Sequence, residues 1–141
     1  AKNYSVGRGT DAPFEQVGAP WIDGKKLAAR LNSFGLPGVR AYETSFEPDA
    51  SIHAGVKVNG VRFVITDRNQ LDATQLGVTL IQVLEELYPK KIDLPGNRKL
   101  IGNLETISRL AGGEAASKIK NAWVKPLELF NEKRAQFLLY P

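Results

Sequence analysis

The sequence contains no cysteine, no methionine and a single histidine among its 141 residues. Without cysteine or a second histidine, this chain cannot by itself build the cysteine- or histidine-rich sites that bind zinc, so we expect no metal centre. The missing cysteines leave the redox compartment open, because a domain of this size needs no disulfide bonds in either one. The missing methionine, with Ala1 as the first residue, leads us to expect a chain that was processed or cut from a longer protein.

Long hydrophobic runs and a strong charge of one sign are also missing. The densest apolar stretch, residues 76–87, is broken by polar side chains and falls short of the ~18 apolar residues that a membrane span needs. The net charge of +4 is modest, and the basic residues are scattered rather than gathered in a stripe with aromatic side chains. We therefore expect neither a membrane span nor a nucleic-acid partner.

The apolar content is sufficient for one hydrophobic core. Hydrophobic residues make up 43% of the chain, and a compact protein of this mass buries about two-thirds of the surface that its unfolded chain exposes. We expect a single domain over residues 1–141.

Apolar residues at helical spacing predict several helices. The first begins at Asp23 and ends near Gly35, where a left-handed glycine is expected. Asp72 and Gln75 form a capping pair ahead of the strongest helix, residues 73–88. A shorter helix is expected over residues 104–111.

The carboxyl-terminal part is also predicted to be helical. Ile119, Trp123, Leu127 and Phe130 follow one another at helical spacing, and Pro126 is expected to kink this helix or to begin a new one. Residues 137–140 are apolar enough that we expect them to be tied to the core.

A β-hairpin is predicted over residues 54–66. Asn59-Gly60 is the favoured pair for a two-residue type I′ turn, because both positions require a positive φ. A turn there would pair apolar residues on one face, namely Val58 with Val61, Val56 with Phe63, and Ala54 with Ile65. Together with a strand over residues 39–46, these elements predict an α+β fold: a small mixed or antiparallel sheet that includes the 54–66 hairpin, packed against about four to five helices.

Residues 3–21 are rich in glycine and proline and predict an ordered loop, with one short helical turn near residues 13–17. Gly7 and Gly9 flank Arg8 there, so the backbone can approach a ligand closely. Arg8 offers a planar fork of donors suited to a carboxylate or a phosphate. The candidate substrate-binding residues are those of this loop that carry hydroxyl, carboxylate or guanidinium groups: Ser5, Arg8, Thr10, Asp11 and Glu15. The segment lacks the Gly-Lys-Ser or Gly-Lys-Thr of a P-loop, and we expect no cofactor.

Other interpretations of these residues stay open. The loop could be a turn in which Arg8 pairs with Asp11 or Glu15. The same two acidic residues are the catalytic candidates, because a helical turn near residues 13–17 would bring them to the ~5–9.5 Å separation that glycosidases use; both could instead cap that turn. His53 could act as a base or ligand, although a lone histidine beside a hairpin is more often structural.

The same loop resembles a known family. Residues 5–10, with Pro13-Phe14 and with residues 18–21, are similar to a signature of bacterial exo-β-N-acetylmuramidases of the NamZ type, formerly a domain of unknown function. The likeness runs in order through most of the chain, including Gly38-Val39, Ala54-Gly55, Gly60-Val61, Thr66-Asp67-Arg68, Tyr88-Pro89, Trp123 and Leu138-Leu139-Tyr140. The family often has a cysteine where this sequence has Val58.

The resemblance implies that this chain corresponds to one part of a two-domain enzyme. In the family, a Rossmann-like N-terminal domain precedes a smaller C-terminal domain that completes the cleft, and the chain matches the latter. Family members release N-acetylmuramic acid from the non-reducing ends of peptidoglycan fragments, and the carboxylate proposed as catalytic lies in the N-terminal domain. The resemblance thus implies a secreted or periplasmic bacterial protein. Its implied partners are muramic-acid-containing peptidoglycan fragments and the N-terminal catalytic domain of the same protein.

Residues and resemblance together predict the C-terminal substrate-binding or auxiliary domain of a peptidoglycan glycoside hydrolase. N-acetylmuramic acid carries a lactyl carboxylate, and Arg8 is a chemically suitable group to bind it. Whether this chain is an enzyme by itself stays open, because the catalytic carboxylate is expected in the other domain. The alternative is a noncatalytic module that binds cell-wall glycan or another protein.

Overall fold

The computed structural model describes residues 3–140, which form three strands and five α-helices. The strands are β1 (Gln16–Ala19), β2 (Val39–Phe46) and β3 (Val58–Ile65). The helices are α1 (Gly24–Asn32), α2 (Ala73–Leu87), α3 (Arg98–Ile101), α4 (Leu104–Ala111) and α5 (Ala116–Ala135), with a 3₁₀ turn at Pro95–Asn97 ahead of α3. The predicted α+β class is confirmed, and β2 begins and ends as predicted.

The sheet is antiparallel and has β3 at its centre, in the order β1-β3-β2. Val61 lies opposite Val17 of β1 on one side and opposite Glu43 of β2 on the other. The outer edge of β2 is bonded to α1, because the Asn32 side chain donates to the Ala41 carbonyl at 2.7 Å and accepts from the Ala41 N–H at 2.9 Å. Helix α1 therefore covers an edge that would otherwise leave backbone groups unpaired.

The predicted 54–66 hairpin with its turn at Asn59-Gly60 is wrong. Both residues lie inside β3, where Gly60 is opposite Gly18 of β1 and Thr44 of β2. The chain reverses earlier, in residues 47–57, so that the observed hairpin joins β2 to β3.

Position 60 requires glycine because of a close backbone contact and not because of a turn. A Cβ atom there would overlap the carbonyl oxygen of Val17, and a Cβ atom on Gly24 would overlap the carbonyl oxygen of Gly60. Strand β1, strand β3 and the start of α1 therefore approach one another through their backbones, a close approach that glycine inside a strand permits.

The segment 3–21 also differs from the loop that was predicted. Its last part forms β1, whose four residues are all buried. The helical turn predicted near residues 13–17 is wrong: residues 13–15 form a hydrogen-bonded turn that leads into β1 at Gln16, with the Glu15 N–H donating to the Ala12 carbonyl oxygen at 3.3 Å. The turn is not helical because Phe14 has a φ of 67°. The segment packs as an edge strand because its small residues fit closely against β3.

The predicted helix starts and ends are confirmed, with boundaries shifted by a residue or two. Asp23 caps α1 by accepting from the Lys26 N–H at 3.0 Å, and Asp72 caps α2 by accepting from the Gln75 N–H at 2.9 Å. Gly35 is left-handed as expected, with a φ of 60°.

Helix α5 continues as one helix through Pro126 and is buried only near its start, at Ala116 and Ile119. The expectation that residues 137–140 are tied to the core is wrong, since Phe137 is 74% exposed and Leu139 is 89% exposed. The second half of α5 and this tail thus extend from the body of the protein with apolar side chains uncovered.

The core lies between one face of the sheet and helices α1, α2, α4 and α5. Its most deeply buried large side chains come from all of these layers, and they include Leu27, Val58, Val61, Leu84 and Ile119. Within residues 3–140, no helix has the length and apolar character needed to cross a bilayer.

Candidate functional site

Two loops pack against each other beside the sheet and form the candidate site. They are the amino-terminal loop, residues 3–15, and the β2–β3 loop, residues 47–57. The Asp49 N–H donates to the Gly9 carbonyl oxygen at 2.8 Å. His53 Nε2 lies 3.2 Å from the Asn3 carbonyl oxygen, so a tautomer with its proton on Nε2 donates to that oxygen. The observed contact of His53 is therefore one that links the two loops.

These two loops contain unusual backbone angles. Three of the four described residues other than glycine with a positive φ lie in them: Phe14 at 67°, Ser51 at 71° and His53 at 64°. A positive φ is rare for a bulky residue such as Phe14 and costs about 1–2 kcal/mol. The Phe14 N–H donates to the Val6 carbonyl oxygen at 2.8 Å and so holds this conformation. Such strain often concentrates at ligand sites.

Ser5 and Thr10 hold the amino-terminal loop in shape. Ser5 is buried, and its Oγ accepts from the Gly7 N–H at 3.2 Å. Thr10 Oγ1 donates to the Gly7 carbonyl oxygen at 2.7 Å and accepts from the Ala12 N–H at 3.1 Å and from Gln16 Nε2 at 2.9 Å. Both hydroxyl groups thus have hydrogen-bond partners inside the protein. Their contact with a substrate stays a prediction.

Arg8 is exposed on the rim of a groove, with its guanidinium carbon 5.2 Å from the centre of the Phe14 ring. No acidic residue among those described forms an ion pair with Arg8, so the expected alternative of a pair with Asp11 or Glu15 is not observed there. The ring of Phe14 orients the guanidinium through a cation–π contact while its N–H donors stay open to solvent.

The groove beside Arg8 has a volume of about 550 Å³, and we call it the Arg8 groove. Its lining includes Tyr4, Arg8, Phe14, Ser51, Ile52 and Leu100. Tyr4 is largely buried in this lining, and its burial raises the pKa of the phenol. Apolar walls with a few polar groups are typical of ligand sites.

The catalytic candidates Asp11 and Glu15 are both exposed and lie outside this lining. Glu15 Oε2 accepts from Arg62 Nη2 at 3.2 Å, an exposed ion pair across the β1–β3 ladder. The helical turn that would have fixed their separation is not formed. A catalytic role for either residue stays a prediction, and among the described residues no group of three acidic or histidine side chains is arranged to hold a metal ion.

A second groove, which we call the apolar groove, adjoins the first. It has a volume of about 760 Å³ and runs between α2, α3 and α5. Its lining includes Trp123, Val124 and Leu127, and it shares Tyr4, Ile81, Leu100 and Ile101 with the Arg8 groove. On its wall, Lys120 Nζ lies 2.8 Å from Asp72 Oδ2. The two grooves adjoin along their shared residues, and we call them together the depression.

Sequence reasoning missed several residues of this depression. Phe14 stands inside the recognised motif, but nothing in the sequence shows that its φ is positive. Ser51 and Ile52 lie in a segment next to the supposed hairpin, and no spacing signal links them to Arg8. Tyr4 lies three residues ahead of Gly7, and this proximity to the glycines is the one signal that could have indicated it.

The family model described as "Exo-beta-N-acetylmuramidase NamZ, C-terminal" matches residues 1–140. The chain belongs to the NamZ C-terminal family. The resemblance noted from the sequence is therefore confirmed.

Two relatives place this member of the NamZ C-terminal family in context. The peptidoglycan β-N-acetylmuramidase NamZ of Bacillus subtilis is 36% identical over 98% of the chain, which spans 34% of that protein. A crystal structure of a DUF1343 family protein from Bacteroides fragilis is similar in fold, with a TM-score of 0.76 and 23% identity over 99% of the chain and 38% of that protein. The chain thus spans little more than a third of either relative.

Proposed function

We propose that this chain is the C-terminal part of a peptidoglycan muramidase and that it supplies a substrate-binding wall rather than the catalytic groups. Membership of the NamZ C-terminal family and the likeness to the Bacillus subtilis enzyme support the substrate class. The single structural observation behind the binding role is the exposed guanidinium of Arg8 at the edge of a groove.

The chemistry of the substrate suits this arginine. N-acetylmuramic acid differs from N-acetylglucosamine by a lactyl ether that ends in a carboxylate, and a guanidinium can bind a carboxylate through two parallel hydrogen bonds. Phe14 is 68% exposed beside it and offers an apolar surface to the sugar. A charge-assisted contact of this kind contributes ~1.5–3 kcal/mol, which corresponds to roughly 10- to 150-fold in affinity.

The same geometry supports a catalytic centre outside this chain. A glycosidase of the common type needs two carboxylates ~5–9.5 Å apart across the scissile bond. The acidic side chain in the lining of the apolar groove is Asp72, which is occupied by the Gln75 N–H and by Lys120. This supports our proposal that the acid and the nucleophile or base come from the remainder of the enzyme. We also propose that the enzyme acts where peptidoglycan lies, outside the cytoplasmic membrane.

Substitution of Arg8 tests the binding role in the gene product that includes any residues encoded ahead of Ala1. We expect Arg8→Ala to raise KM for a chromogenic muramic acid glycoside by roughly 10- to 150-fold. Arg68→Ala, at an exposed arginine outside both grooves, is the matched control and should leave KM unchanged. An unchanged KM in Arg8→Ala would remove Arg8 from the substrate site.

A second candidate function is a noncatalytic module that binds cell-wall glycan, because the groove is formed within this chain alone. The gene product that includes any residues encoded ahead of Ala1 distinguishes the two: we expect that longer protein to turn over the chromogenic glycoside, and binding without turnover there would favour the noncatalytic module. The 141-residue chain tests the division of labour itself. Turnover of the chromogenic glycoside by this chain would show that it carries its own catalytic groups and would contradict the proposed division of labour. Binding of muramic acid without turnover is the expected result.

A further inference from the structure

We infer that the apolar groove and the exposed face of α5 are the surface on which the preceding domain of a longer NamZ-type chain docks. This inference rests on the proposed function, in which the chain acts as the C-terminal part of such an enzyme.

The first observation is that the core face of α5 continues beyond the core. Ile119 is fully buried, and Trp123, Leu127 and Phe130 follow it at intervals of three or four residues, so that they lie along the same side of the helix. Leu127 is 56% exposed and Phe130 is 59% exposed. An apolar stripe that is covered at one end and open at the other, next to an apolar groove, is typical of an interaction surface.

The second observation concerns the place where any preceding polypeptide must lie. Tyr4 lines both grooves, so a domain attached ahead of Asn3 is tethered beside them. A short tether gives an effective concentration on the order of millimolar, which favours this occupant over a second copy of the chain. In the Bacillus subtilis relative, the matched part is 34% of the protein, which leaves about two-thirds of its length for such a domain.

The edge of the surface indicates the chemistry of its partner. Arg98 and Lys99 are exposed on α3 next to Leu100 and Ile101, and among the described residues neither forms an ion pair. A complementary surface would place apolar side chains on the groove and acidic side chains at this edge.

Docking at this surface would also complete the substrate site. Because the two grooves share Ile81, Leu100 and Ile101, a domain seated on the apolar groove lies directly beside the Arg8 groove. The two domains would then face each other across a cleft, with Arg8 on one wall.

Amide hydrogen exchange tests the inference by comparing the 141-residue chain with the gene product that includes the residues encoded ahead of Ala1. We expect the amides of residues 123–130 to exchange at least tenfold more slowly in the longer protein. Leu127→Glu should remove this protection there while leaving the unfolding midpoint of the 141-residue chain unchanged. Leu104→Glu is the matched control, because Leu104 is 72% exposed on α4 and lies outside both grooves.

Three results would overturn the inference. The first is equal exchange rates in the two proteins, and the second is a gene that encodes nothing ahead of Ala1. The third is a concentration-dependent dimer of the 141-residue chain that Leu127→Glu abolishes, because that result would assign the surface to a second copy. Exchange rates report docking without reference to activity. A failure here therefore differs from a failure of the muramic acid proposal, which the KM of Arg8→Ala reports.

Discussion

The carbonyl oxygen of Gly9 accepts a hydrogen bond from the N–H of Asp49 at 2.8 Å, and this bond joins the two loops of the candidate site. Gly9 has a φ of 75°, and a Cβ atom at this position would overlap the backbone nitrogen of Ala50. The loops therefore fit together only because residue 9 has no side chain, and the position of Arg8 depends on that fit.

Gly9→Ala should destabilise the protein by more than about 2 kcal/mol, since left-handed strain of ~1–2 kcal/mol adds to the overlap with the second loop. Gly55→Ala is the matched control, because Gly55 has a φ of 68° but no atom of residues 3–140 lies within 4 Å of its would-be Cβ. It should lose only about 1–2 kcal/mol. Urea unfolding of the two variants measures the difference, and equal losses would show that the contact between the loops contributes nothing.

Phe14 allows its strain and its role in binding to be separated. Phe14→Ala removes the ring but keeps the unfavourable φ, whereas Phe14→Gly removes both. We expect Phe14→Gly to be about 0.5–1 kcal/mol more stable than Phe14→Ala, since the relief of strain exceeds the added entropy of the unfolded chain. Both should raise KM for a muramic acid glycoside equally in the longer gene product. A glycine variant less stable than the alanine variant would contradict the left-handed conformation.

Substitution of Gly60 tests whether this residue lies in a central strand or in a turn. Gly60→Ala should lower the free energy of unfolding by about 3 kcal/mol or more, because the added methyl group overlaps the Val17 carbonyl oxygen. Gly77 lies in α2, and no atom in the described part of the chain is within 4 Å of an added Cβ. Gly77→Ala should therefore stabilise the protein by about 0.5–1 kcal/mol. Thermal unfolding of both variants checks the pair. A loss at Gly60 of only about 1 kcal/mol would point to a turn after all.

The lowered pKa of Asp72 leads us to expect that the stability of the protein depends on pH. A hydrogen bond from Lys120, followed by one from the backbone N–H of Gln75, lowers the pKa of the Asp72 carboxyl. Because the pKa is lower in the folded state, the ionised group stabilises the fold above about pH 4. This contribution is lost as the pH falls through the folded-state pKa.

Asp72→Asn isolates this effect, because asparagine still caps α2 but carries no charge. We expect the variant to be less stable than the parent by up to about 1 kcal/mol near neutral pH, the range of a half-exposed ion pair. The difference should shrink as the pH is lowered towards about 3 in urea titrations. A difference that stays constant with pH would show that the charge of Asp72 does not matter.

The helices could be predicted from the sequence because their signals are local. Asp23 and Asp72 cap the helices that follow them, and the apolar residues recur at 3.6-residue spacing. Strand β2 could be predicted because its signal is also local. The hairpin at Asn59-Gly60 was predicted wrongly because its signal, although local, competes with a contact between Gly60 and Val17, which are far apart in the sequence.

The candidate site was predictable only in part. The glycines around Arg8 indicated a loop that could approach a ligand, and the structure shows the guanidinium exposed at a groove. Another part of the groove lining comes from residues such as Ser51, whose position depends on how the β2–β3 loop folds back onto Gly9. The tail at residues 137–140 was expected in the core because its side chains are apolar. Apolar composition shows that exposing a segment is unfavourable, but it does not show which surface covers that segment.

The position of Tyr4 in the lining of both grooves has a practical consequence for anyone who produces this protein. An affinity tag or fluorescent fusion placed at the amino end would emerge beside the depression and obstruct it. Labels for binding measurements therefore belong on an exposed position of α1 outside both grooves, such as Lys25.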